Sequence, residues 1–151
     1  DPYVILHGRQ AGQMLDLLFE LCDFGIGSLG RHRSGITNIK TLKNREYAAR
    51  GIPFIYSEID EDFENMPYIM KIPANEEAVD IKQILNFYNQ LHITPLEIRN
   101  SIRHLSWNNQ MKKVLDEMQK KDKINPNNNN IANFATLYTN KFIPNKEKWP
   151  H

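Results

Sequence analysis

The stretch that decides the fold is FGIGSLGRHRSGITNIKTLKNREYAARGIPFIYS, residues 24–57. It reads in order as a short apolar strand, a basic loop that contains glycine, a helix over residues 41–50, and a second strand that follows Gly-Ile-Pro. A loop leading from a strand into a helix collects unpaired backbone N–H groups and the positive end of the helix dipole. Residues 31–50 carry six Arg or Lys side chains and His32 against one carboxylate, Glu46. The pattern predicts a site for an anionic ligand.

The sequence on either side of this stretch extends an α/β pattern. Apolar runs predict a buried parallel strand over Tyr3–His7 and a short last strand over Tyr68–Ile72. Apolar residues at helical spacing predict a core-facing helix before Asp23, with Met14, Leu17, Leu18 and Leu21 on one face. Further helices are predicted from Glu76 onward, one of them starting at the capping-box pattern Thr-Pro-Leu-Glu of residues 94–97. We therefore expect a Rossmann-like parallel sheet flanked by helices, with a helical C-terminal part.

Composition narrows the class of protein. Of 151 residues, 40% are hydrophobic and 25% are charged, which is typical of a soluble globular domain. The net charge of +1 gives no reason to expect nucleic acid as a partner. No apolar run approaches the roughly 20 residues of a membrane span, and the first residues show no secretory signal. We expect a cytoplasmic protein with no membrane span.

Several residue types point away from other kinds of chemistry. The five histidines are scattered without metal-ligand spacing, so we expect no metal site and no cofactor. The single cysteine, Cys22, lies in an apolar helical stretch and is interpreted as a buried thiol. The acidic run that follows the second strand is interpreted as a solvated loop, or alternatively as a surface facing a basic partner: Glu58, Asp60, Glu61, Asp62 and Glu64.

The run LKNREYAARGIPF of residues 42–54 resembles the donor-binding domain of retaining glycosyltransferases with the two-domain GT-B fold. Leu-Ser-Trp at residues 105–107 is similar to a Phe-Ser-Trp that often opens a late helix in that family. The resemblance covers roughly residues 3–119. It implies a nucleotide-sugar-binding α/β domain over residues 1–119, with the family's first strands absent, followed by an Asn-rich linker and C-terminal extension over 120–151.

The resemblance implies roles for individual residues. Arg33 and Lys43 are expected to contact the donor diphosphate, although a solvated surface role is the alternative for both. Glu46 is expected to hold the ribose, the alternative being a salt bridge with Arg50. The family places an earlier glutamate, which touches the donor sugar, where this chain has Asn38; an amide can still form hydrogen bonds but cannot supply a negative charge beside the reacting sugar. The remaining candidates for nucleotide-sugar binding are Leu42, Thr41, Lys40, Gly35, Ser34, His32, Gly8 and Arg9.

The implied activity is sugar transfer from a nucleotide-diphosphate donor, without a metal, in assembly of a bacterial polysaccharide or other glycan. The acceptor, a glycan or a lipid-linked sugar, would be bound by an N-terminal domain absent from this sequence, so residues 1–151 alone are expected to be inactive. The enzyme would act in the cytoplasm, with a peripheral position at the inner membrane as one option. Two alternatives stay open: a non-enzymatic α/β module that binds phosphate or protein, and a degenerate domain that binds donor without transferring sugar.

Overall fold

The computed structural model describes the backbone of residues 2–124 and the side chains of residues 2–120. Within that range the chain is α/β, with a parallel three-stranded sheet and five α-helices. The linker and C-terminal extension were predicted over residues 120–151, of which residues 125–151 lie outside the described residues. By contacts between residues the chain divides into two compact units, one ending at Ile102 and one beginning at Arg103.

The first unit holds the sheet, whose strand order is β1-β2-β3. The strands are β1 (Gly25–Ile26), β2 (Phe54–Tyr56) and β3 (Ile69–Lys71). Gly25 pairs with Phe54, and Phe54 pairs with Ile69, both in parallel register. All three residues of β2 are buried, as expected of the central strand of a parallel sheet. The predicted strands at 23–29, 53–57 and 68–72 are thus confirmed as shorter elements.

Four helices belong to this unit and one to the second. They are α1 (Gly12–Glu20), α2 (Leu42–Arg50), α3 (Ile81–Asn89), α4 (Pro95–Ser101) and, in the second unit, α5 (Trp107–Ile124). Thr41 caps α2 by accepting from the Asn44 N–H, and the predicted capping box between Thr94 and Glu97 is present at α4. The second unit also contains a short 3-10 turn at Arg103–Leu105. The helix predicted over residues 41–50 and the helix start predicted at residues 94–97 are therefore confirmed.

The core of the first unit centres on aromatic side chains. The ring of Phe54 packs against the rings of Tyr56, Phe63 and Tyr68 at centroid distances of 5.5 to 6.3 Å. All four residues are fully buried. Burial raises the pKa of Tyr56 and of Tyr68, whose hydroxyl groups bond to polar side chains at the edge of the core. These ring contacts pack β2 against the loop that precedes β3.

Four structural expectations are wrong. Residues 3–7 form no strand and their side chains are exposed, because no described strand offers them a partner ladder. Helix α1 is where it was expected, but none of its residues is buried, so its apolar face does not form core. The chain does not turn helical at Glu76; the helix begins only after Asp80, whose side chain accepts from the Lys82 N–H. Cys22 is exposed, not buried.

Gly51 ends α2 in a position that only glycine fits. Its φ of 76° lies in the left-handed region, and an added Cβ would come within 2.6 Å of the Pro95 carbonyl oxygen on α4. Gly35 has a similar φ of 68° but faces open space, and Gly30 has neither constraint. Close packing of α2 on α4 therefore depends on the missing side chain.

We expect Gly51→Ala to destabilise the chain by about 3 kcal/mol, since backbone strain and overpacking add. Gly35→Ala should cost about 1 kcal/mol from strain alone, and Gly30→Ala close to nothing. Urea unfolding of the three variants measures this order. Equal losses for Gly51→Ala and Gly35→Ala would contradict the close approach of Gly51 to Pro95.

Candidate functional site

The carboxyl ends of β1 and β2 meet at one edge of the sheet. Ser57, the residue after β2, donates its backbone N–H to the Ser28 carbonyl oxygen at 3.0 Å and its hydroxyl at 3.2 Å. Ligands of open α/β sheets bind beyond the carboxyl ends of the strands. The basic loop leaves the sheet at this edge, which places its cations where such ligands bind.

The loop folds into a 3-10 helix over Arg31–Ser34, which we call the cationic turn. It is closed by Gly35, whose left-handed conformation lets its N–H reach the His32 carbonyl oxygen at 2.9 Å. At its other end the Arg31 N–H donates to Oε1 of Glu58 at 2.7 Å. Glu58 is the second residue after β2 and is only 2% exposed. The cationic turn is thus tied to the end of the central strand.

The side chains of the cationic turn converge on one carboxylate, that of Glu76. Arg33 donates from Nε to Oε1 at 2.8 Å and from Nη2 to Oε2, and His32 Nε2 lies 3.0 Å from Oε1. Hydrogen bonds from Arg33 and then from His32 lower the pKa of Glu76 from 4.5 to about 2. The same contact raises the pKa of Arg33. The turn therefore holds an oxyanion through three N–H groups.

The acidic run after β2 packs on helix α2 and is not a solvated loop as predicted. The carboxylate of Asp60 is fully buried and accepts from Nη1 and Nη2 of Arg45 at 3.3 and 3.4 Å. It also accepts from the buried side chain of Asn44 at 3.1 Å, and Arg45 reaches Asp62 as well. Opposite charges 15 and 17 residues apart in the chain thus neutralise each other inside the first unit, because burying either alone would be costly.

The acidic run also positions residues 37–40, which precede α2. Asn38 and Ile59 form a parallel bridge, in which Ile59 donates to the Thr37 carbonyl oxygen and accepts from the Ile39 N–H, both at 2.8 Å. Asn38 itself is exposed and its amide donates to the Thr37 hydroxyl at 3.2 Å. Lys40 pairs loosely with Glu61 at 3.5 Å. The residues before the helix are thus positioned by the acidic run.

Side chains on α2 that were predicted to bind donor have partners within the chain. Glu46 pairs with Arg50 at 2.6 Å through Oε1, and Arg50 also pairs with Asp16 of α1 at 2.6 Å. Lys43 donates to the Ile26 carbonyl oxygen of β1 at 3.3 Å. The salt-bridge alternative for Glu46 is therefore present in the structure, while ribose binding by this residue stays a prediction.

The remaining predicted residues divide by position. Ser34 and Gly35 complete the cationic turn, and Thr41 caps α2 with its hydroxyl. Leu42 is exposed at the start of α2. Gly8 and Arg9 lie in the irregular segment before α1, are exposed, and form no hydrogen bond with the cationic turn. The structure thus brings together His32, Arg33, Ser34 and Gly35, and leaves Gly8 and Arg9 apart from them.

Two glutamates of the site were missed by sequence reasoning. Glu58 was assigned to a solvated run, although its place directly after a buried strand was the signal that it lies at the site edge. Glu76 lies 43 residues beyond Arg33, and no local pattern marks it. Three buried polar atoms in the described part of the chain have no hydrogen-bond partner, namely Nδ1 of His32, Oε2 of Glu58 and Oδ1 of Asn44. The His32 atom lies in the cationic turn, and the Glu58 atom belongs to the side chain that accepts from the Arg31 N–H of that turn.

Comparison with known proteins identifies no family for this chain. The chain matches no protein-family model, no curated protein and no solved structure. The resemblance to glycosyltransferases therefore stays a prediction. Within residues 2–124, no helix combines the length and apolarity needed to cross a bilayer, and no three His, Cys, Asp or Glu side chains of the described part gather as metal ligands.

We expect Asp60→Asn to lower the free energy of unfolding by about 3 kcal/mol, because it leaves Arg45 without its buried partner charge. Glu61→Gln is the matched control, since Glu61 is exposed and its loose pair with Lys40 should contribute less than about 1 kcal/mol. Urea unfolding measures both. If the two variants were equally stable, the buried pair would not be what holds the acidic run.

The carboxyl group of Glu76 should titrate near its lowered pKa of about 2. Because the folded-state pKa lies below the ordinary value of 4.5, the contribution of the pair to stability is complete above pH 4.5 and is lost as the pH falls through about 2. Carbon-detected NMR of the side-chain carboxyl follows the titration directly. Arg33→Ala should move the pKa of Glu76 back toward 4.5, and a pKa of 4.5 in the unmodified chain would show that the contact is not formed.

Proposed function

We propose that this chain binds a nucleotide-sugar donor and forms the donor-binding part of a retaining glycosyltransferase of the GT-B type. The observation that carries the proposal is the oxyanion geometry of the cationic turn. Arg33 and His32 direct three N–H groups at one carboxylate, beside the carboxyl edge of a parallel sheet. A phosphoryl group offers the same planar pair of oxygens to an arginine fork. The resemblance of residues 42–54 supplies the class of ligand.

The proposed roles follow from position and charge. Arg33 and His32 bind the diphosphate and stabilise the negative charge that develops on it as the bond to the sugar breaks. Lys43 is exposed and bonds only to the Ile26 carbonyl oxygen, so its ammonium group can turn to the same diphosphate. Glu46 uses Oε1 for Arg50, which leaves Oε2 as an acceptor for a ribose hydroxyl. Cations of the chain thereby take the part that a metal ion plays in other phosphate sites.

The acceptor side of the reaction lies beyond these residues. In the resembled enzymes the acceptor is bound by a second domain, and we propose the same here, with a glycan or lipid-linked sugar as acceptor. Such an enzyme would work in the cytoplasm, at the surface of the inner membrane when the acceptor is lipid-linked.

A degenerate domain that binds donor without transferring sugar is the second candidate, and Asn38 favours it. The Asn38 side chain is neutral and exposed, and its amide donates to the neighbouring Thr37 hydroxyl. It therefore brings no negative charge to a positively charged transition state. Both candidates share the donor site and differ only in the transfer step.

Calorimetric titration of the 151-residue chain with UDP, GDP and ADP tests the donor site. One nucleotide should bind saturably, and Arg33→Ala should weaken that binding by about tenfold or more, since a hydrogen bond to a charged group contributes ~1.5–3 kcal/mol. Arg103→Ala is the matched control, because Arg103 is exposed in the second unit and has no proposed role.

The outcome separates the proposal from its rivals. Preference for one nucleotide over inorganic pyrophosphate supports a nucleotide-sugar site. Equal binding of pyrophosphate and all three nucleotides would indicate a simple phosphate-binding module. Binding of none of them by the folded chain would refute the donor site.

A further inference from the structure

Glu76 lies on an exposed connection between β3 and α3. Residues 73–78 are all exposed, and their hydrogen bonds to one another are short-range, from the Asn75 N–H to the Pro73 carbonyl oxygen and from the Glu77 N–H to the Asn75 side chain. The Glu76 carboxylate is the group of this segment that reaches the cationic turn. Its removal from the turn would therefore disturb little else in the first unit.

The carboxylate occupies the place of a ligand. Its two oxygens accept from the Arg33 guanidinium in the bidentate manner of a bound carboxylate or phosphate, and His32 adds a third contact at 3.0 Å. Both Arg33 and Glu76 are more than 60% exposed, so this is a solvent-accessible pair that an external anion can compete with. Exposed pairs of this kind contribute little to stability, because water and salt screen them, so an external anion can take the place of the carboxylate.

We propose that Glu76 is an intramolecular competitor that occupies the oxyanion site of the cationic turn until a phosphate-bearing ligand displaces it. The identity of that ligand as the diphosphate of a nucleotide sugar rests on the proposed function, whereas the competition itself needs only the cationic turn. Displacement exchanges one anion for another on Arg33 and His32 and releases residues 73–78 from the turn. The apparent affinity of the cationic turn for an external ligand falls as the Glu76 carboxylate occupies the turn for a larger fraction of the time. Ligand binding and release of residues 73–78 are therefore coupled.

Inorganic pyrophosphate is the probe, titrated calorimetrically at constant ionic strength into the 151-residue chain and two variants. Glu76→Gln should bind pyrophosphate about two- to fivefold more tightly, which is the range of an exposed ion pair converted to affinity. Glu77→Gln makes the same change of net charge one residue away and should bind as the unmodified chain does. Addition of Arg33→Ala to Glu76→Gln should abolish the gain.

In the unmodified chain, the Glu76 carboxyl resonance should shift with pyrophosphate and saturate at the dissociation constant found by calorimetry. The competitor is disproved if Glu76→Gln binds no tighter than Glu77→Gln, or if pyrophosphate binds to neither. Since pyrophosphate carries no nucleoside, a gain in Glu76→Gln without any nucleotide preference would leave the competitor standing and remove the proposed donor site. Nucleotide binding that requires Arg33 but is unaffected by Glu76→Gln would support the proposed donor site and disprove the competitor.

Discussion

The buried contact between Arg45 and Asp60 is the interaction on which the rest of the site depends. It joins helix α2 to the acidic run after the central strand, and Asn44 adds a hydrogen bond to the same carboxylate. The acidic run in turn supplies Glu58, which holds the cationic turn, and Ile59, which pairs with the residues before α2. The ion pair and the contacts of Glu58 and Ile59 together hold the cationic turn and the start of the helix near the end of the central strand.

The cations of the basic stretch consequently serve two purposes that the sequence does not distinguish. Arg45 is structural, because its guanidinium is committed to two carboxylates and is largely buried. Arg33 is exposed, and its partner is an exposed glutamate on a separate segment. An external anion can exchange with the second kind of pair at small cost, but exchange with the first would leave a buried charge unpaired. Burial thus separates a scaffold arginine from one available to a ligand.

The edge strand β1 shows how side chains complete a very short sheet. Gly25 and Gly27 donate their N–H groups to β2, so the carbonyl group of Ile26 points to the other side. There it accepts from the Tyr47 hydroxyl at 3.1 Å and from Lys43 at 3.3 Å. Contacts of this kind satisfy an edge that would otherwise be open to pairing with another strand.

The sequence by itself determined the elements whose signals are local: the helix over residues 41–50, the capping box at Thr94, and the apolar strand that follows Pro53. It also predicts an anion site on the loop after β1, because that loop concentrates positive charge. Tertiary structure alone decided that residues 3–7 form no strand, since a strand exists only where a neighbour completes its ladder. It alone brought Glu76 to Arg33, because contacts between side chains 43 residues apart leave no periodic trace in the chain.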